Sequence, residues 1–453
     1  MNFAEYYRSI VRIEVNNMGF DWSMPFQRMQ TKPASGSGFF IDKKGYVLTC
    51  AHVVEDAEYV RVEIPSEGDR KYDAEVMGVC PFFDLALIWV KDYKPKTVCK
   101  LDAGSTKVTP GMETYALGYP LGMPHLKVSK GIISGQQYNF YQTDTAINPG
   151  NSGGPLLYQG RVIGVNAAGI AAWAADGIGY AVPITRYHSI KTFLRKSRHL
   201  IAYPQFFGFE DFQPTSSDFQ KFMKNRCKHG GVYIKSVLPK SPVSTTGLRK
   251  GHILCAIDGV NIDYYGGLKK RWMNETMSIE NALAEVGLNR PVKITYWDGK
   301  TLRNDHFELG IYTPNVRLMY PAFERIPYET CGGIIVMDLC VNLIMILGDV
   351  ELAEYLKPKN IMEKRLVVSN VLVGSYASTL NIVKKGDLIV RVNDKPVSTV
   401  AQYRRALAKP VGDKSFVKIE TENNKLMLLP VKQLAEDDKE LSKRYMYPPS
   451  KIF

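Results

Sequence analysis

The stretch Asn148-Pro149-Gly150-Asn151-Ser152-Gly153-Gly154-Pro155 decides how this 453-residue chain is read. A serine flanked by glycines sits on backbone that can turn sharply and lets another chain approach closely. The same turn can aim the amides of Gly150 and Ser152 at one point, the geometry of an oxyanion hole. Two upstream segments supply what a serine hydroxyl lacks. One is Leu48-Thr-Cys-Ala-His52-Val-Val54; the other is Asp84-Leu-Ala-Leu-Ile88, preceded by Phe82-Phe83. A hydroxyl becomes a useful nucleophile when a base takes its proton, and histidine does so near neutral pH. The imidazole in turn needs a carboxylate on its other nitrogen to fix the tautomer and stabilise the cation. Asp84 heads an apolar run, which places its carboxylate at the edge of a core, where charge counts for more than in bulk water. Each segment alone reads more plainly as a structural histidine, a strand boundary and a turn. Together, in this order, they point to a nucleophilic serine. Cys50 is a rival nucleophile only on paper; a small buried thiol is its expected role.

Around these segments, short β-branched and aromatic runs alternate with Gly, Pro, Asn and Asp as far as about Pro183. Examples are residues 38–42, 46–49, 59–64, 85–90, 114–117, 127–134 and 161–167. Many short strands at this spacing predict an all-β sandwich or barrel. Thr185 is placed to cap a helix over 186–198 that closes this region. Two later stretches share one grammar. Lys250-Gly-His-Ile-Leu254, with Ala256-Ile-Asp-Gly-Val-Asn-Ile262, returns as Lys385-Gly-Asp-Leu-Ile-Val-Arg-Val-Asn-Asp-Lys-Pro-Val397. Each has a strand before it (231–237, 365–373), then a helix (278–286, 400–407) and another strand (292–297, 416–420), so the chain holds two copies of one small module. The second copy carries extra sequence between Tyr312 and Glu363. A charged helical stretch over 435–444 and a short tail end the chain. The expected division is 1–199, 200–311, 312–434 and 435–453.

Composition narrows the class. Apolar residues make up 45% and charged residues 23%, as in ordinary globular chains of several domains. Basic residues outnumber acidic ones, 58 to 45. The densest basic cluster, Lys269-Lys270-Arg271, is short, so a mixed solvated surface is expected rather than a nucleic-acid footprint. The seven cysteines form no CxxC pair, which argues against zinc ribbons and dithiol redox motifs. Dilute and odd in number, they predict reduced thiols in a reducing compartment. No basic stretch followed by an apolar core opens the chain. The longest apolar run, 331–347, is interrupted by Asp338 and Asn342 and is too short to span a bilayer. These features predict a cytoplasmic or other intracellular soluble compartment, with no signal peptide or membrane span.

Five segments carry a family resemblance. They are Gly36-Ser-Gly-Phe-Phe-Ile-Asp42, Val47-Leu-Thr-Cys-Ala-His-Val-Val54, Asp84-Leu-Ala-Leu-Ile88, Thr143-Asp-Thr-Ala-Ile-Asn-Pro-Gly-Asn-Ser-Gly-Gly-Pro-Leu156 and Gly177-Ile-Gly-Tyr-Ala-Val-Pro-Ile184. In them the sequence resembles the trypsin-like serine proteases and, within these, the HtrA/Deg family. The repeated modules resemble PDZ domains, and the long second copy looks most like the plant-type Deg branch. The resemblance implies a mainly β chain: a trypsin-like double β-barrel protease domain followed by two α+β PDZ-like domains. It implies His52 as general base, Asp84 as its orienting carboxylate and Ser152 as nucleophile, with the amides of Gly150, Asn151 and Ser152 around the oxyanion. It further implies an ATP-independent enzyme with no metal or cofactor, assembled as a homotrimer or a multiple of trimers. Its substrates would be unfolded or C-terminally tagged proteins. Aromatic residues near the N-terminus make the family's trimer contact; Tyr6, Tyr7, Phe20, Trp22 and Phe26 are candidates.

Specificity follows from local chemistry. Trypsin-like enzymes that cut after Lys or Arg carry an acid six positions before the serine. Here Ala146 stands there, followed by Ile147, with Asn166, Ala167 and Ala168 on the adjoining strand. An uncharged pocket predicts small or aliphatic side chains at the cleaved position, with modest discrimination. In the first module Phe206-Phe207-Gly208-Phe209 resembles a PDZ carboxylate loop; in the second, Gly332-Gly-Ile-Ile335 is the candidate. The terminal Ile452-Phe453 is itself PDZ-ligand-like. The competing reading is a chaperone-like scaffold, or a structural component of a larger assembly, with proteolysis latent or lost. A scaffold has no need to keep the His52, Asp84 and Ser152 set.

Overall fold

Leu85–Val90 is apolar along its length and buried almost throughout, which requires neighbours on both edges and both faces. In the computed structural model of the chain it has them. Ile10–Phe20, Ala34–Phe40, Tyr46–Thr49, Leu85–Val90, Lys71–Cys80 and Ala57–Glu63 pair antiparallel in a closed cycle. A second closed barrel runs Glu113–Gly118, Lys127–Gln137, Phe140–Thr143, Gly179–Pro183, Arg161–Asn166 and Pro155–Tyr158. Closure leaves neither sheet a free edge. The helix after the second barrel spans Ile184–Lys196, so Thr185 lies inside it rather than capping it. The structure describes all residues except 1–2, 31–32, 56, 138–139, 168–177, 197–199, 204, 209–210, 270–275, 285–289 and 450–453.

The chain forms two compact units. One comprises Met1–Asn17 and Thr31–Tyr312, the other Met18–Gln30 and Thr313–Phe453. The first unit holds both barrels and the first PDZ-like module. That module is a sheet ordered Asp211–Gln213, Val232–Ser236, Ile253–Ile257, Pro291–Trp297, Leu302–Glu308, with Val260–Asn261 paired to Ile253–Ile257 and the helix Ile279–Ala284. The second unit repeats it as Ile334–Asp338, Leu366–Val371, Leu388–Val392, Phe416–Thr421, Leu426–Pro430, with Lys395–Pro396 and the helix Val400–Leu407. The fold is therefore mainly β: two barrels of the trypsin-like kind and two α+β PDZ-like modules.

Cys227 and Cys255 are joined as a disulfide that ties the loop after the helix Ser217–Phe222 to the strand Ile253–Ile257. This corrects the expectation that all seven cysteines are reduced: two residues 28 apart in sequence face each other only once the sheet has formed. The other five are free and buried. Among the described residues no helix is long and apolar enough to cross a membrane.

The second unit holds more than the module. Its last helix, Val431–Tyr445, buries Leu434 and Leu441, and Asp437 accepts the backbone N–H of Tyr376 at 2.6 Å. The early segment Met18–Gln30 also belongs to this unit. Phe20 and Trp22 meet edge to face and pack on the apolar cluster of Val316, Met337, Leu343 and Ile344. Phe26 packs 5.0 Å from the ring of Tyr447 and 6.3 Å from that of Tyr328. So these three of the five aromatics expected at a subunit contact pack within this unit, and a fourth, Tyr6, is engaged elsewhere in the chain. Tyr6 is buried and donates its hydroxyl to Gly160 O at 2.9 Å; Tyr7 is exposed. Replacing Trp22 or Phe26 by Ala is expected to destabilise the C-terminal unit by about 2 kcal/mol each, the lower range for partly buried aromatics. The check is the guanidinium midpoint followed by hydrogen exchange in 366–371.

Candidate active site

The helix Ala51–Val54 buries Ala51, Val53 and Val54, which leaves His52 facing outward, about a third exposed. Asp84 ends the tight turn Pro81–Phe83 in a left-handed conformation, φ 53° and ψ 45°, and so breaks step with the strand that follows. Its carboxylate meets His52 twice. Asp84 Oδ1 and Oδ2 lie 2.9 and 2.8 Å from His52 Nδ1, and Oδ1 also accepts the His52 backbone N–H at 3.0 Å. A ring held at Nδ1 keeps its proton there and leaves Nε2 as the base. Burial alone would lower the His52 pKa. The hydrogen bond and charge of Asp84, with a smaller contribution from Glu55, outweigh burial and raise it above the ordinary value.

One carbonyl ties the serine turn to the histidine segment. Asn166 O accepts from Gly153 N at 2.8 Å and from Cys50 Sγ at 3.2 Å. Gly153 has φ 86°, and a Cβ there would lie 2.1 Å from Ser37 O and 2.2 Å from Thr49 Oγ1, so only glycine lets the turn sit this close. Ser152 itself is buried at 4% exposure. Burial followed by the nearby Asp84 pushes the Cys50 thiol well above its ordinary pKa, as a structural thiol requires. Among the described residues, Cys50, His52 and Asp84 bring S, N and O ligand atoms within 4.8 Å of one another. His52 Nδ1 and Asp84 are committed to each other, and Cys50 to Asn166.

The oxyanion amides differ from expectation at one position. Asn151 N donates to Asn148 O at 2.9 Å, so its amide is spent within the turn. Pro149 O accepts from Leu121 N at 2.8 Å. Carbonyl and N–H point in opposite directions across a trans peptide, so the Gly150 N–H is directed away from Leu121. Ser37 was missed from the sequence although it sits inside the quoted Gly36-Ser-Gly38. Its backbone N–H donates to Ser152 O at 2.8 Å; its hydroxyl donates to Gly150 O at 2.7 Å and accepts from Tyr119 N at 2.9 Å. Thr49 Oγ1 in turn donates to Ser37 O at 2.8 Å. The first barrel thus buttresses the turn through one side chain. Ser37→Ala is expected to lower kcat about 10- to 100-fold with little change in KM, because it loosens the Gly150 peptide without touching substrate. Steady-state kinetics on a fluorogenic peptide checks this.

The expected pocket residues separate. Ala146 is exposed, and its carbonyl accepts from Ser129 Oγ at 2.8 Å. Ile147 is buried in the core of the second barrel with Ile133 and Ile163. Asn166 and Ala167 are fully buried, the Asn166 amide donating to Pro155 O at 3.2 Å. Ala168 lies outside the described residues, as do Phe209 and the tail 450–453. In the first module Phe206 is in the short strand Gln205–Phe206, paired with Gly310–Ile311. Phe207 is a core residue against Phe307, 4.9 Å away. Gly208, at φ 116°, passes so close to Ser241 that a Cβ would lie 2.3 Å from its hydroxyl.

Two antiparallel barrels, a hydrogen-bonded His–Asp pair and a serine on a glycine turn define the trypsin-like serine endopeptidases. The model of the trypsin-like peptidase domain matches residues 36–165. The periplasmic serine endoprotease DegP of Salmonella typhimurium is 31% identical over 397 residues, covering 83% of this chain and 72% of its own. The serine protease HTRA1 of Xenopus tropicalis is 30% identical over 311 residues, 63% of this chain and 64% of its own. Among solved structures, the HtrA-type protease AlgW with decapeptide shares the fold at TM-score 0.51 and 24% identity, covering 69% of this chain and 98% of its own. The chain belongs to the DegP/HtrA family of serine endoproteases. The expected cytoplasmic compartment is corrected by the same finding: the DegP relatives that match most of the chain are periplasmic.

Proposed function

We propose that the chain hydrolyses peptide bonds of unfolded or C-terminally tagged proteins without ATP, metal or cofactor, using Ser152, His52 and Asp84. The observation that carries this is the two-oxygen grip of Asp84 on His52 Nδ1, combined with the Asn166 carbonyl that joins the Gly153 amide to Cys50. Ser152 Oγ attacks the scissile carbonyl while His52 Nε2 takes its proton. The cation that forms is stabilised by Asp84, and the oxyanion by the Gly150 and Ser152 amides. His52 then gives the proton to the leaving amine, and water releases the acyl group by the same steps in reverse order.

Cleavage after small or aliphatic residues is supported by Ala146 standing where a basic-specific enzyme needs an acid. Fluorogenic peptides differing only at the cleaved position test it: Val and Ala should exceed Lys and Arg by about tenfold or more in kcat/KM, and a preference for Lys or Arg would refute it. Peptide capture by the first module, and assembly into trimers or their multiples, belong to the same reading. AlgW's decapeptide complex supports the first; light scattering gives the subunit number and tests the second.

A further inference from the structure

The turn beside Gly150 is strained and is held from the first barrel. Residues 119–123 include two successive left-handed residues, Leu121 at φ 54° and Gly122 at φ 69°. A leucine adopts that conformation at a cost and keeps it where its surroundings fix it. Inside the turn, Gly122 N donates to Tyr119 O at 3.3 Å and Met123 N to Pro120 O at 3.0 Å. The turn presses on Gly150, where a Cβ would lie 2.6 Å from both Leu121 N and Tyr119 O. Leu121 N donates to Pro149 O at 2.8 Å, and the same peptide carries the Gly150 N–H on its opposite side.

Arg12 fixes the far end of this turn: its Nη1 donates to Gly122 O at 2.7 Å. Arg12 stands opposite Ser37 on one neighbouring strand and opposite Glu63 on the other. Directly paired residues project from the same face of a sheet, so Glu63, Arg12 and Ser37 form one row across three strands. Glu63 is buried. Its carboxylate takes Arg12 Nε at 3.1 Å and pairs with Nη2, which also meets Glu14 at 3.2 Å. A guanidinium gripped on that side has its remaining nitrogen aimed in a fixed direction. A buried ion pair is weak evidence for stability; what this one supplies is aim. The row reaches the nucleophile turn twice, from Ser37 to Gly150 O and from Arg12, through Gly122 and Leu121, to Pro149 O. We propose that Arg12 is a positioning residue for peptide hydrolysis: held by Glu63, it pins the 119–123 turn and so sets the direction of the Gly150 amide. The proposal rests on the reading of Ser152 as nucleophile and Gly150 as an oxyanion donor. Arg12 acts through the turn and not on substrate, so its loss falls on the transition state and spares substrate binding.

The test uses the full chain and two inhibitors built on its best-cleaved fluorogenic peptide. One ends in a trifluoromethyl ketone, which adds the serine oxygen and places an oxyanion in the hole; the other ends in the matching alcohol, which binds without adding. The variant is Arg12→Met with Glu63→Gln, which leaves no buried carboxylate unpaired. It should bind the ketone about 10- to 100-fold more weakly and the alcohol as the parent does, with kcat reduced by a similar factor and KM within about threefold. Equal losses for both inhibitors would make Arg12 a structural residue and overturn the proposal, and so would no loss for either. Should the double variant not fold, Arg12→Lys replaces it. An ammonium can pair with Glu63 but lacks the fork that also reaches Gly122 O, so a loss of about fivefold or more, confined to the ketone, is expected; an unchanged ketone affinity is equally fatal. The parent and Ser152→Ala are measured alongside. A parent that gains nothing from the ketone over the alcohol, or that binds it no better than Ser152→Ala does, fails the nucleophile reading itself and takes this proposal with it. A parent that discriminates beside a variant that discriminates equally removes the role of Arg12 alone.

Discussion

Ser152→Ala is expected to reduce hydrolysis of labelled casein by about 10⁶-fold in kcat while leaving the fold unchanged, because the reaction loses its nucleophile and the remaining two groups have nothing to activate. The variant removes one oxygen from a turn whose shape is set by other contacts. Gly153 N to Asn166 O, Asn151 N to Asn148 O and Ser37 N to Ser152 O all run through backbone acceptors. Circular dichroism and thermal midpoint should therefore match the parent. The outcome that would remove the proteolytic assignment is retained cleavage. No thiol stands ready to substitute, since burial holds Cys50 protonated and out of reach.

Asp84→Asn should cost about 10⁴-fold in kcat, since an amide at this position can stabilise the wrong imidazole tautomer. Its second effect has a sign. In the parent, Asp84 outweighs burial and holds the His52 pKa above its ordinary value. The acid limb of kcat/KM, which reports the free base, should lie above about pH 6.5. With the carboxylate gone, burial is left to act against the charged ring, and the limb should move to lower pH. A profile from pH 5 to 9 on both proteins decides it: an unmoved limb would mean that Asp84 does not face the catalytic base.

How much of this could be read from residue order depends on how local each feature is. The strands Tyr46–Thr49 and Leu85–Val90 and the helix Val400–Leu407 announce themselves by periodicity within a few residues. The shared module follows from one repeated string. His52 and Asp84 were nameable because their types and order imply a single chemistry. The features that escaped depend on contacts across long stretches of chain. Ser37 looks like any serine between glycines until the second barrel places the Gly150 carbonyl against it. Asn151 is interchangeable with its neighbours until the turn commits its amide. Cys227 and Cys255 look like two dilute thiols until the sheet sets them side by side. Gly332-Gly333 suits a carboxylate loop as well as a hairpin, and only the pairing of Tyr328–Cys331 distinguishes them.

The docking of Met18–Gln30 against residues beyond Thr313 has a cost during synthesis. Phe20, Trp22 and Phe26 leave the ribosome early, and their surface is completed only when the end of the chain follows. At about 5–20 residues per second the interval is tens of seconds, in which both barrels can close but the early aromatics stay uncovered. A nascent chain stalled before residue 313 should therefore recruit holdase chaperones through those three rings.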